Sequence, residues 1–287
     1  MLDVLRQPAP KMSVWDKVRR RLQGMRRRRE IESSISKLAA TAVVTRLEGF
    51  GGLFELPLSN NMTHRLLMGG YESKQQLLLS AAVDSGDHVI DVGANLGLFS
   101  VMCAAIVGKD GKVLAAEPVP QMLNILRSNI ARNKLENVIV FAGAVTNTRQ
   151  TCEIHTVEGG EEYSSLQSIA HPDRPEGKEV KIAVPGIPLD ELVEQHGLRP
   201  AIIKVDTEGA EGLVFSGAKQ TLTRDRPIVL SELDDRLLKG FDWSSGKVVE
   251  LFQSCKYRVL DQATQKVLSP ACNYFVGDIL AIPEEAA

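Results

Sequence analysis

The chain lacks most of the features that would commit a sequence early to a class. Its four cysteines, Cys103, Cys152, Cys255 and Cys272, lie far apart with no Cys-x-x-Cys pair among 287 residues. That spacing indicates neither a zinc site nor a disulfide framework, so a reducing, cytoplasmic setting is expected. The longest uncharged apolar run, residues 96–107, has about a dozen residues where a membrane span needs roughly twenty. No Gly-Lys-Ser/Thr follows a glycine-rich loop, and neither a Gly-x-Ser-x-Gly elbow nor a Ser-His-Asp order occurs. P-loop and serine-hydrolase chemistry are therefore disfavoured. His64, His155, His171 and His196 are scattered, and each reads more simply as a surface group.

A 44% share of hydrophobic residues is ample for one large core. The net charge of −2 hides an asymmetry: residues 11–29 carry nine Lys or Arg against Asp16, a local charge of +8 that leaves −10 for the rest. Val14, Val18, Leu22 and Met25 recur at helical spacing within that run, giving a narrow apolar stripe on a basic helix. Residues 11–29 are thus read either as a peripheral contact with an anionic membrane surface or as a solvated leader. Nucleic acid is not expected as a partner, because Trp15 is the only aromatic residue interleaved with the charges.

Three parts are expected: a basic leader (1–30), an N-terminal helical cap (31–84) and a main domain (85–287). Helix is predicted over 31–44, followed by a glycine-rich turn and short strand over 49–58 and helix over 71–83. Strand-like and helix-like runs then alternate, which favours an α/β fold with a mainly parallel sheet. Strands are expected over 88–92, 112–117, 137–145, 201–206 and 227–232, with two further strands over 257–260 and 274–282. The polar stretch 146–200 is too long for an ordinary connection and reads as an inserted hairpin or flap over the ligand-binding edge.

The chemistry gathers at the strand ends. His88-Val-Ile-Asp-Val-Gly-Ala-Asn-Leu-Gly97 is an apolar strand that breaks into a glycine-spaced turn, and Glu117 follows at the end of the next strand. Glycine allows close approach of a nucleoside, and a carboxylate at Glu117 can accept hydrogen bonds from ribose hydroxyls. The spacing Gly93-x-x-x-Gly97 lacks the central glycine of a dinucleotide fingerprint. A cofactor with a ribose but no phosphates fits better, and S-adenosylmethionine is the common one. An NAD(P)-binding oxidoreductase and a non-catalytic nucleoside-binding module are the alternatives.

Tyr71-Glu72, then residues 89–100 (VIDVGANLGLFS), then Ala116-Glu117-Pro118, then residues 202–211 (IIKVDTEGAE) resemble the FkbM family of S-adenosylmethionine-dependent methyltransferases. The resemblance covers residues 71–232, and the block 204–211 distinguishes it from methyltransferases at large. It implies a seven-stranded, Rossmann-like sheet with an antiparallel last strand. It also implies methyl transfer to a hydroxyl oxygen of a carbohydrate, glycolipid or natural-product acceptor. By position, it sets Asp91, Gly93, Asn95 and Gly97 around the amino acid end of the cofactor, Glu117 on the ribose, and Gly143 and Ala144 against the adenine. Glu72 matches the glutamate of a family Tyr-Glu pair, with a helix-surface salt bridge as its other reading. Asp206 is the first choice for general base or substrate orienter and Glu232 the second, with Lys204 able to pair with either acid. Glu208 and Glu211 suit a helix N-terminus whatever their function. No resident metal is expected, because the Asp-Asn pair that would support one at Asp206, Glu208 and Glu232 is not evident.

Overall fold

A computed structural model describes residues 41–58, 61–68, 72–157, 164–166 and 177–286. The basic leader, residues 31–40 of the expected first helix, Tyr71 and His171 lie outside the described residues. The first described element is an antiparallel hairpin of β1 (Ala42–Leu47) and β2 (Gly52–Pro57), paired along its length from Ala42 with Pro57 to Leu47 with Gly52. Residues 42–44, expected to end a helix, are strand instead. Val43, Val44 and Thr45 are β-branched, and that run pairs better on a pleated surface than it coils.

Two helices follow, α1 (Asn61–Met68) and α2 (Ser73–Ala82). Then comes the alternation expected from the sequence: β3 (His88–Val92), α3 (Leu98–Val107), β4 (Lys112–Ala116), α4 (Pro120–Arg132) and β5 (Val138–Phe141). The expected third strand does not run through to residue 145. It breaks at Gly143, where a Cβ would lie 2.5 Å from the Pro185 carbonyl oxygen, and β6 (Ala144–Thr146) departs to a second sheet. There β6 pairs with β8 (Glu179–Pro188), which pairs antiparallel with β7 (Gln150–Val157). The inserted hairpin foreseen over 146–200 is therefore present, and it recruits the end of the third strand as its neighbour.

After α5 (Leu189–Gln195) the core resumes with β9 (Pro200–Val205), α6 (Glu211–Ser216), α7 (Lys219–Arg224), β10 (Ile228–Asp234), α8 (Asp235–Leu238) and α9 (Ser245–Ser254), then β11 (Tyr257–Asp261) and β12 (Val276–Pro283). The main sheet has seven strands in the order β11-β12-β10-β9-β3-β4-β5. Strands β10, β9, β3, β4 and β5 are mutually parallel, while β12 is antiparallel to both its neighbours. This is the α/β, Rossmann-like sheet with an antiparallel last strand that was expected.

Alternation along the strands divides the core. Val89, Val113, Ala115, Ile202, Leu230 and Leu280 pack with α2, α3, α4 and the β1–β2 hairpin. Ile90, Leu114, Ile203, Val229 and Ile279 pack on the opposite face with α5 to α9. The hairpin is fastened to the first layer by Asn129 of α4. Its Oδ1 accepts the Glu55 backbone N–H at 2.7 Å, and its Nδ2 donates to the Leu96 carbonyl at 2.8 Å, with the residue fully buried. Asn129→Ala would leave both backbone groups unmade, at about 1–3 kcal/mol each. A lower urea midpoint with an unchanged slope is the expected result, and an unchanged midpoint would show that the contacts of Asn133 with Leu53 and of Ser128 and Arg132 with Glu55 hold the hairpin without Asn129.

Candidate functional site

Parallel strands end on one edge, and a cavity of about 660 Å³ opens there. Its walls come from the turns after β3, β4, β5, β9 and β10, from the start of α2, from residues 164–166 of the insertion and from the start of β12. Ten of the residues singled out in the sequence meet in it: Glu72, Gly93, Asn95, Glu117, Gly143, Ala144, Lys204, Asp206, Glu208 and Glu232. Asp91 and Gly97 are outside the cavity wall. Asp91 is buried below it, its Oδ2 accepting the Ser100 hydroxyl at 2.6 Å and its Oδ1 lying 4.0 Å from Lys204 Nζ. Gly97 adopts a left-handed φ of +87° against α4, where a Cβ would lie 2.5 Å from Leu126 Cδ1.

The turn between β3 and α3 is closed on itself. The Gly93 and Ala94 N–H groups both donate to the Ala116 carbonyl at 3.0 Å, and the Gly97 N–H donates to Ala94 O at 2.8 Å. Asn95 N–H donates to Glu117 Oε2 and Leu96 N–H to Asn95 Oδ1, each at 2.8 Å. All five N–H groups of residues 93–97 therefore have protein acceptors, so this turn presents no nest of free donors for a pyrophosphate. Gly93 is needed for a different reason from the one the motif suggested. A Cβ there would lie 1.8 Å from the carbonyl oxygen of Asp206, so protein backbone, rather than ligand, demands the glycine.

Glu117 sits one residue past β4 and is buried. Its Oε1 accepts the Val119 N–H at 2.8 Å while Oε2 takes that of Asn95. Each oxygen keeps a further lone pair, so the carboxylate is fixed in orientation yet still able to accept hydroxyl donors from the cavity. Burial pushes its carboxyl up to about 7, although the two backbone N–H groups favour the charged form.

Asp91, Lys204, Asp206, Glu232 and Asp278 share one face of the sheet by strand parity, the face that packs on α2 and α3. Asp91 and Lys204 are register partners on β3 and β9. The Lys204 ammonium reaches Asp206 Oδ2 at 3.2 Å and lies 4.9 Å from the centre of the Phe99 ring. Burial opposes its charge, but Asp206, Asp91 and Glu72 more than offset that, so Lys204 is raised above its ordinary value and keeps its proton. It acts as a buried cation that fixes two carboxylates.

Glu232 projects into the cavity, and burial, then Asp206 and Asp278, raise its carboxyl to about 7. Glu208, at a left-handed φ of +52°, also lines the cavity, and burial followed by Asp206 and Glu211 pushes it well above the glutamate range. Glu211 turns inward: its Oε1 accepts the Thr207 N–H, the Thr207 hydroxyl and the Gly209 N–H at 2.9–3.2 Å, so it braces the turn after β9. Asp278, Gln75, Arg65, Lys74 and Arg236 also line the cavity and were not legible in the sequence. Asp278 stands opposite Glu232 across β10 and β12, a signal that needs the strand register to be known.

A profile described as "Methyltransferase FkbM domain" matches residues 91–259. Arsenite methyltransferase of Halobacterium salinarum is 38% identical over 65 residues, 23% of this chain and 17% of that protein. Protein-L-isoaspartate O-methyltransferase 1 of Archaeoglobus fulgidus is 34% identical over 58 residues, 20% of this chain and 27% of that protein. The chain thus covers less than a third of the length of either curated relative. A solved FkbM methyltransferase from Methylobacillus flagellatus superimposes with a TM-score of 0.43 at 13% identity, over 78% of this chain and 53% of that one.

The raised carboxyls make stability fall with increasing pH. A carboxyl whose folded value lies above its unfolded one binds its proton more tightly in the native state, so its contribution is complete below the ordinary value of 4.5 and lost as pH rises through about 7. Urea unfolding between pH 4 and pH 8 should show this decline, and Glu232→Gln should make it shallower. An identical slope in the variant would show that Glu232 titrates like a free side chain.

Proposed function

Because the chain belongs to the FkbM family of S-adenosylmethionine-dependent methyltransferases, we propose that its cavity seats the cofactor by the ribose at Glu117 and serves methyl transfer to a hydroxyl oxygen of a carbohydrate, glycolipid or natural-product acceptor. The observation that carries this reading is the pairing of a closed turn with an open carboxylate. Residues 93–97 spend every N–H within the protein, while Glu117 stays rigid and accessible from the cavity. That combination suits a nucleoside without phosphates and disfavours the dinucleotide of an oxidoreductase. When bound, the cofactor supplies a methyl group already activated on a positively charged sulfur.

The chain must then bring an acceptor oxygen into line and relieve it of a proton. Alignment is the larger contribution, worth about 7–11 kcal/mol when ideal, and a placed base adds roughly 10²- to 10⁴-fold. Asp206 has its charge engaged by Lys204 and suits the orientation of the hydroxyl. Glu232, exposed to the cavity with a carboxyl raised to about 7, suits proton transfer near neutral pH.

Calorimetric titration with S-adenosylmethionine and separately with NAD(H) tests the cofactor. Binding of the former is expected, and Glu117→Ala should weaken it by roughly 10- to 100-fold, the value of one or two hydrogen bonds to a charged acceptor. Tight NAD(H) binding without S-adenosylmethionine binding would overturn the reading. Labelled methyl transfer to a panel of hydroxyl, amine and thiol acceptors tests the acceptor atom. Transfer to hydroxyls, reduced about 10²- to 10⁴-fold in Glu232→Gln at pH 7, is expected; transfer confined to amines or thiols would remove the hydroxyl assignment.

A further inference from the structure

Asp278 is the acidic residue among the cavity groups to which the family motifs give no role. It lies in β12, the one reversed strand of the sheet, directly opposite Glu232 of β10, and both line the cavity. Two carboxylates facing each other across adjacent strands destabilise a sheet. Here the arrangement is held in place from a third element: Gln75 of α2 donates from Nε2 to Asp278 Oδ1 at 3.0 Å. Gln75 is 8% exposed, and Leu78 and Leu79 on the same helix are buried in the core, so this contact comes from a fixed support.

The other charges around the pair leave it predominantly acidic. Asp206 stands beyond the end of β9, Glu208 and Glu211 come from the turn and start of α6, and Glu72 precedes α2. Among the cations, Lys204 is engaged by Asp206 and Arg236 by Asp234, though Lys204 also acts on Asp278 and Arg236 on Glu232; Lys74 acts on Asp278 from α2, and Arg65 of α1 lines the same cavity.

We propose, building on the methyltransferase reading, that Asp278 is a positioning residue for the transfer: held by Gln75, it keeps a carboxylate beside Glu232 and makes that glutamate the group that receives the acceptor's proton. In the step it serves, the acceptor oxygen forms the bond to the methyl carbon as the bond from that carbon to sulfur breaks. The electron pair of the broken bond stays with sulfur, and the hydroxyl proton passes to a Glu232 carboxylate oxygen. Asp278 touches neither reacting atom. Its negative charge disfavours a second charge next to it, so Glu232 holds a proton more readily than an isolated glutamate would.

The test needs no acceptor. Protein labelled with ¹³C at the glutamate side-chain carboxyl is titrated by NMR from pH 4 to pH 9, with the Glu232 resonance identified by its loss in Glu232→Gln. The midpoint is expected near 7 in the parent, to fall in Asp278→Asn by part of the distance to the ordinary 4.5, since burial and Asp206 remain, and to return in Asp278→Glu. Gln75→Ala, which leaves both acids in place, is expected to move it in the same direction by less, because Asp278 without its donor carries its charge less fully; this variant decides the matter if Asp278→Asn does not fold. An unchanged Glu232 midpoint in the folded variants overturns the proposal. Failure of the parent protein to bind S-adenosylmethionine in a parallel titration would overturn the methyltransferase reading instead, leaving the Glu232–Asp278 result to be read on its own.

Discussion

At the centre of the sheet the exits of β3 and β9 meet backbone to backbone. The Asp206 N–H donates to the Val92 carbonyl at 3.0 Å, and the Asp206 carbonyl comes so close to Gly93 that no other residue could stand there without displacing it. This contact sets the distance between two parts of the site that are more than a hundred residues apart in sequence. One is the turn that ends on Asn95 and is held by Glu117; the other is the reacting edge that begins at Asp206. A side chain at position 93 would have to push the two strand ends apart, and with them Glu117 and Asp206. Glycine here is a condition for having a single cavity.

The electrostatics follow from the same geometry. Strand parity sends Asp91, Lys204, Asp206, Glu232 and Asp278 to one face, where Lys204 is the cation buried among them. Its position between the buried Asp91 and the half-buried Asp206 offsets part of the cost of burying its charge, since a buried ion pair is tolerated only when its partners are close and oriented. Burial is also the largest influence on the carboxyls of Asp91, Glu117, Glu208, Glu232 and Asp278, and all five are raised, Asp91 despite Lys204 and Asp278 despite Lys74 and Lys204. A cavity in this condition favours a ligand that brings positive charge with it.

Much of this was legible in the sequence because it rests on local pattern. Apolar strands ending in acids, a glycine-spaced turn and an uncommitted stretch of polar residues gave the sheet, the cavity edge and the insertion. What stayed hidden depends on contacts between distant segments. The necessity of Gly93 and Gly97 was visible, but its cause, a strand end in one case and Leu126 in the other, was not. The break at Gly143 was invisible for the same reason, since residues 137–145 read as one continuous strand and only the approach of Pro185 divides them. Residues 42–44 were assigned to a helix because their partner strand lies beyond a turn that periodicity does not score. Asp278 was unremarkable until register set it against Glu232.

The division at Gly143 also bears on where acceptor specificity resides. By turning β6 out of the main sheet, the chain lays the insertion along the reacting edge, and Ser165 then donates its hydroxyl to the Glu208 carbonyl at 3.2 Å. Ser164, Ser165 and Leu166 thereby face Asp206, Glu208 and Glu232 across the cavity, with Asp278 closing the side formed by β12. The cofactor side of the cavity is built from residues close together in sequence and carrying recognisable spacing. The acceptor side is assembled from an insertion, a helix start and the last strand, whose residues carry no shared pattern. Proteins can therefore keep the first side while replacing the second. One wall of the cavity is thus fixed by strand ends of local pattern, and the wall facing it by what folds over them.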